Sequence, residues 1–177
     1  MKDLKAYDIQ FVGLKQGHHR FEYKIEKSFF EYYDFDEFND ADVEVELDLE
    51  KKSALLELNF EINGSVNVNC DLTNEPFDQP IDNKLFIVVK FGSEYNDDDE
   101  EILILPHGSY EINVAQYIYE LVVLSVPGKR VHPGVKDGTL KSELLDKLEE
   151  LSPEGLSKNK EEIDPRWDTL KKLLTDK

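Results

Sequence analysis

Residues 43–62 read VEVELDLEKKSALLELNFEI, and the two alternating runs within them decide the fold. In the first run Val43, Val45, Leu47 and Leu49 share one side, and Glu44, Glu46 and Asp48 share the other. In the second the apolar set is Leu56, Leu58, Phe60 and Ile62. Successive side chains of a strand point to opposite faces, so a period of two means half-buried strands with a wet, acidic outer face. A loop over Glu50–Ser53 pairs Leu49 with Ala54, Leu47 with Leu56 and Val45 with Leu58, so apolar meets apolar across a hairpin.

Working outward, SVNVNCDL (65–72) continues the pattern with Val66, Val68, Cys70 and Leu72. Asn63-Gly64 stands before it as a turn signal. A two-residue turn there puts the flanking apolar sets on opposite faces. Taking Ser65 into the loop pairs Ile62 with Val66 and Phe60 with Val68, so the spacing predicts a three-residue connection or a bulge. Upstream, HRFEYKI (19–25) alternates with Phe21, Tyr23 and Ile25 inward, while SFFEYYDFDEF (28–38) fits either a short helix or irregular aromatic packing. Downstream, KLFIVVKF (84–91) is apolar on both faces, as a covered strand would be. The polar loop NDDDEE (96–101) and the short run ILIL (102–105) follow.

From Asn113 the period changes. Val114, Tyr117, Ile118, Leu121 and Val122 fall on one helical face, Asn113 is the candidate cap, and Pro127 stops the helix. KSELLDKLEELS (141–152) is a second amphipathic helix with Leu144, Leu145, Leu148 and Leu151 as its stripe. In IDPRWDTLKKLL (163–174), Asp164 can cap and Pro165 can sit at the first helical position, where its missing N–H costs nothing. Trp167, Leu170 and Leu174 form that helix's stripe. These elements predict an α+β fold: an antiparallel sheet able to curl toward a barrel, with two or three helices in the C-terminal half. The expected organisation is a domain over 1–152, a polar linker over 153–163 and a capped helix over 164–177.

Charge is sorted along the chain. Net charge is −18, from 39 acids and 21 bases. Residues 31–111 hold 23 of those acids against four lysines, whereas 13–27, 127–141 and 165–177 are each modestly basic. A protein that coats nucleic acid through diffuse charge needs a basic surface, which this total denies. One cysteine, Cys70, excludes an intramolecular disulfide framework and a multi-cysteine zinc site. No apolar leader and no eighteen-residue apolar run is present, so the expectation is a cytoplasmic protein without a membrane partner.

Catalytic and metal chemistry find little support. Adjacent carboxylates in NDDDEE cannot all converge on one ion, so a solvated loop is the simpler reading. His18 and His19 are strand neighbours and face opposite ways. Cys70 belongs to an inward set and reads as a small packed residue. No phosphate loop, nucleophile elbow or HExxH helix occurs. The expectation is a non-enzyme with no cofactor and no metal. The basic segments supply the candidate RNA contacts: His18, His19, Arg20, Lys129, Arg130, Lys171 and Lys172. GKRVHPGVK (128–136) is the most suggestive, because a loop bearing Lys129, Arg130, His132 and Lys136 can hold backbone phosphates.

Three stretches then occur in a telling order: GSVNVNCDLTNEPF (64–77), YEINVAQYIYELVVLSVPGKRVHP (110–133) and DPRWDTLKKLL (164–174). This succession resembles the YceD-like family, the large ribosomal RNA subunit accumulation proteins, formerly a domain of unknown function. Members of that family have a Gly-led hairpin ending in Cys-x-x-Cys before "EPF", an I-D/N-L stretch leading to "E…L.LP..P.H", and an Asn/Asp-Pro-[FW]-x-x-L motif near the end. The matching positions here are Gly64, Cys70, Pro76, Phe77, Pro127, Asp164, Pro165, Trp167 and Leu170. The resemblance covers about two-thirds of the chain and is weak before Leu56. The second cysteine falls at Thr73, so no metal is carried over.

The resemblance implies a ribosome-assembly factor that supports synthesis, processing or stability of large-subunit (23S) rRNA. Its partner would be that rRNA or its precursor particle. The alternative is an acidic adaptor or chaperone for a basic large-subunit ribosomal protein, without direct RNA contact.

Overall fold

Alternation builds a sheet, and a computed structural model gives its geometry for residues 4–99, 101–140 and 143–151. The linker predicted over 153–163 and the capped helix over 164–177 lie outside the described residues, and with them Asp164, Pro165, Trp167, Leu170, Lys171 and Lys172. In chain order the elements are β1 (Asp8–Ile9), β2 (Gly17–Glu26), α1 (Lys27–Phe30), β3 (Asp40–Lys51), β4 (Leu55–Asn69), β5 (Pro76–Gly92), β6 (Ile102–Pro106), β7 (Ile112–Asn113), α2 (Ala115–Ser125), α3 (Pro133–Lys136) and α4 (Glu143–Leu151). The first compact unit holds the chain to Cys70 and Glu75–Arg130, and the second groups Asp71–Asn74 with the chain from Val131 onward.

The main sheet has the order β2-β3-β4-β5-β6. The first four strands are antiparallel, as expected, but β6 runs parallel to β5, pairing Val88 with Ile102 and Gly92 with Pro106. The sheet is therefore mixed. A period of two tells which face a residue takes and not which way the strand runs. Parallel pairing is reached without a long crossover because the chain retraces only Gly92 to Val88, about 13 Å at strand spacing. The barrel expectation is also corrected. Closure needs the two end strands to meet, and β2 and β6 terminate the order of an open sheet.

The Asn63-Gly64 expectation fails in an instructive way. No connection forms there; β4 runs unbroken from Leu55 to Asn69. Its inward series, Leu56, Leu58, Phe60, Ile62, Gly64, Val66, Val68 and Cys70, keeps one parity throughout. A straight strand thus satisfies the face requirement that the three-residue loop was meant to meet. Gly64 lies opposite Val43, and a Cβ on it would stand 2.2 Å from the Asp42 carbonyl oxygen. Glycine is there for a close approach of β3, not for a turn. The β3–β4 hairpin keeps the predicted faces but not the predicted register. Leu49 meets Leu58, Leu47 meets Phe60 and Val45 meets Ile62, a shift of four residues that keeps apolar facing apolar at these positions, while Leu56 falls opposite Lys51 and Val43 opposite Gly64. The turn closes with Lys52 N donating to Leu55 O at 3.0 Å.

One face of the sheet carries the core. Ile25, Val43, Val45, Leu47, Leu49, Leu58, Phe60, Val66 and Val89 are essentially inaccessible. Helix α2 covers part of this face with Ala115, Ile118, Leu121 and Val122. Its start is held by Asn113, whose Oδ1 accepts from Ala115 N at 3.0 Å, and it ends before Pro127, where Val126 is extended as a pre-proline residue prefers. Segment 28–38 turns out to combine both readings of its sequence. Helix α1 and the 3-10 turn Glu31–Tyr33 lead into packed rings, Phe30 against Phe38 at 5.0 Å and Tyr33 stacked on Tyr119 at 4.1 Å. A two-stranded ribbon, β1 with β7, ties the N-terminal segment to the approach of α2.

Strand β5 is not covered on both faces, contrary to its sequence pattern. Ile87 and Val89 are buried, but Phe86 on the opposite face is 42% exposed. In the second unit α4 forms where the amphipathic pattern predicts, and Leu144, Leu148 and Leu151 of its stripe are exposed.

Candidate functional site: an acidic sheet face and an apolar groove

The outer face of the sheet is built by register. Reading across β2, β3, β4 and β5, one row is Arg20, Asp48, Asn59 and Phe86, and the next is Glu22, Glu46, Glu61 and Lys84. Glu46 thus stands directly between two other glutamates, an arrangement that like-charge repulsion disfavours. Cations from β2 and β5 offset it. Arg20 reaches Glu46 at 3.5 Å, Lys24 reaches Asp42 at 3.1 Å and Lys84 reaches Glu61 at 2.6 Å. The hydrogen bond to Asp42, and then its charge, hold the Lys24 ammonium above its ordinary pKa. Pairs this exposed contribute little to stability, because water screens them.

The candidate RNA contacts distribute as follows. His18 is on this acidic face, with Nδ1 at 3.0 Å from Asp48 Oδ2. His19 faces the other way, as neighbours on a strand must, and its Nε2 lies 2.8 Å from the Lys15 carbonyl oxygen. Arg20 is among carboxylates. Lys129 is exposed in the loop after α2, and Arg130 pairs with Glu37 at 3.2 Å. In the second unit His132 Nδ1 accepts from Gly134 N at 2.9 Å and so caps α3. Of the motif positions, Gly64 is mid-strand, Cys70 and Phe77 are buried at the ends of β4 and β5, Pro76 opens β5, and Pro127 follows α2.

A groove of about 690 Å³ runs beside the core at the β5–β6 end of the first unit. Its apolar lining comes from Leu85 and Ile87 of β5, Leu103 and Leu105 of β6, and Tyr117, Leu121 and Leu124 of α2. Asp97, Asp98, Asp99, Glu111 and Glu120 line it too, together with Lys84 and neutral residues such as Gln116. The acidic loop is organised by its own side chains: Tyr95 donates to Asp97 at 3.0 Å, Asn96 Nδ2 to Asp98 at 2.9 Å, and Glu101 N to Asp99 at 2.9 Å. Burial, followed by the charges around Tyr95, Asp97 and Glu120, pushes the Tyr117 hydroxyl up to about 12. Among the described residues no three His, Cys, Asp or Glu side chains are gathered to hold a metal. No helix there is long and apolar enough to cross a membrane.

The groove escapes a reading of the sequence because its walls come from residues 83 to 124 and meet only through the parallel return of β6. The available signal was the width of the α2 stripe: Leu124 extends it by one turn and is 78% exposed.

By fold and surface this is an acidic α+β protein, an open mixed sheet with a carboxylate-rich face and an apolar groove rimmed by carboxylates. Residues 58–174 match the model of the YceD family, described as large ribosomal RNA subunit accumulation protein YceD, and the chain belongs to that family. The match covers the order of motifs from the β4–β5 hairpin to the Trp167 segment, and the family's description concerns ribosome biogenesis, the accumulation of 23S rRNA. No curated protein and no solved structure matches the chain.

Proposed function

We propose that this protein supports large-subunit rRNA accumulation as a non-catalytic assembly factor that engages a basic protein component of the precursor particle. The observation carrying this reading is the sheet register. Cations of the first basic segment, Arg20 and Lys24, are interleaved with Asp42, Glu46 and Asp48, so the described sheet face presents carboxylates to a partner. RNA phosphates meeting that face would be repelled, whereas a lysine- and arginine-rich ribosomal protein would be attracted and steered.

The test uses the full chain with fluorescent 23S rRNA fragments and, separately, with purified basic large-subunit ribosomal proteins, at about 0.1 M salt. A ribosomal protein should bind, and RNA binding should be weak and indifferent to Lys129→Ala/Arg130→Ala. RNA binding with steep salt dependence that either this pair or Lys171→Ala/Lys172→Ala weakens would establish direct phosphate contact and overturn the proposal.

A further inference from the structure

We infer that the groove beside β5, β6 and α2 is the docking site for a basic segment of a partner protein that carries spaced apolar side chains. This deepens the reading above and rests on it. The floor asks for apolar groups: Leu85, Leu105 and Leu121 line it, and Leu124 projects into solvent at its border. An apolar surface of this kind left beside an otherwise charged exterior marks a binding site.

The rim decides the partner's charge. Asp97, Asp98, Asp99, Glu111 and Glu120 line the groove, and Lys84, the cation beside them, is already bonded to Glu61 at 2.6 Å. A phosphate backbone would meet five carboxylates. A second copy of a chain of net charge −18 would bring like charge to like. Arginine and lysine suit both parts of the groove, since their aliphatic stems lie along apolar surface while their heads reach carboxylates. Burial, and then the charges of Tyr95, Asp97 and Glu120, raise the Tyr117 hydroxyl at the groove.

The experiment follows the anisotropy of a fluorescein-labelled synthetic peptide of about 15 residues, with leucines at helical spacing between arginines. A companion peptide has every leucine replaced by serine. The full chain should bind the first about tenfold more tightly than the second. Leu124→Ser should weaken binding about fivefold, and because Leu124 is exposed the change leaves the core intact. Asp97→Asn/Asp98→Asn/Asp99→Asn should weaken it about tenfold and flatten its salt dependence.

If both groove variants bind as the parent does while Glu44→Gln/Glu46→Gln/Asp48→Asn weakens binding, the sheet face is the site. The groove inference then falls and the basic-partner reading stands. If the leucine–arginine peptide does not bind the parent chain, the groove inference again falls, and the ribosomal-protein and rRNA arms decide the reading above. Sedimentation showing a dimer that Leu124→Ser dissolves would assign the groove to a second copy and overturn the inference.

Discussion

Gly64 and Asp42 touch backbone to backbone: a Cβ at position 64 would lie 2.2 Å from the Asp42 carbonyl oxygen and 2.7 Å from Val43 Cα. Neither obstacle is the flexible end of a side chain. Gly64→Ala must push β3 away from β4 in the centre of the sheet, and overpacking of this kind costs about 2–3 kcal/mol. Urea denaturation should show the loss as a lower midpoint with an unchanged slope. A midpoint within error of the parent would mean the strands can separate there freely.

That contact also explains which parts of the fold were legible. Strand faces were, because burying Val45 rather than Glu44 depends only on parity. Register was not, because sliding β3 past β4 by four residues leaves Leu opposite Leu and Glu opposite Glu or Asn. Gly64 misled because Asn-Gly is a turn signal on local grounds, whereas the even-numbered apolar series running from Leu56 to Cys70 is a stronger, longer-range constraint. The direction of β6 was hidden in a five-residue run. For the candidate site, the acidic wet face was legible from Glu44, Glu46 and Asp48. The position of Arg20 among those acids required the β2–β3 register, and the groove required three elements to meet.

Lys51 fastens the N-terminal segment to the end of β3. Its Nζ donates to Phe11 O at 2.8 Å, Leu14 O at 2.9 Å and Val12 O at 3.3 Å, wrapping the 3-10 turn Phe11–Gly13 around one ammonium. Lys51→Met keeps the stem and removes the donors. A loss of about 1–2 kcal/mol is expected. Hydrogen exchange should quicken first at residues 11–14. Unchanged exchange there would show that the turn is held by Phe11 packing alone.

Two phenols set an alkaline limit. Burial, with a contribution from Tyr7 stacked on it at 5.2 Å, pushes Tyr23 up to about 12, and burial first pushes Tyr117 to about 12. Both folded values lie above the ordinary 10.0. Their stabilising contribution is therefore complete below pH 10, because both states are then protonated. It is lost as pH rises toward 12, where the unfolded chain has already gained its phenolates. The phenolate absorbance that develops toward pH 12 should shrink in Tyr23→Phe/Tyr117→Phe, and the same variant should flatten the fall in stability above pH 10. Tyr23 and Tyr117 ionising at the ordinary 10.0 would contradict this assignment.

The row Glu22, Glu46, Glu61 makes a last prediction, on salt. Like charges opposite one another on adjacent strands repel, and a net charge of −18 adds a general repulsion that favours expansion. Salt screens both, with a screening length of about 10 Å at 0.1 M. It also weakens the Arg20–Glu46 and Lys84–Glu61 pairs, but exposed pairs are worth only about 0–1 kcal/mol each, so the repulsion wins. The urea midpoint should rise between about 0.02 M and 0.5 M sodium chloride. Glu46→Gln removes the middle charge of the row at the cost of its contact with Arg20 at 3.5 Å, and should reduce the salt dependence while changing stability by no more than about 0.5 kcal/mol. A midpoint that falls with added salt would show instead that the cross-strand ion pairs, and not the carboxylate row, govern this face.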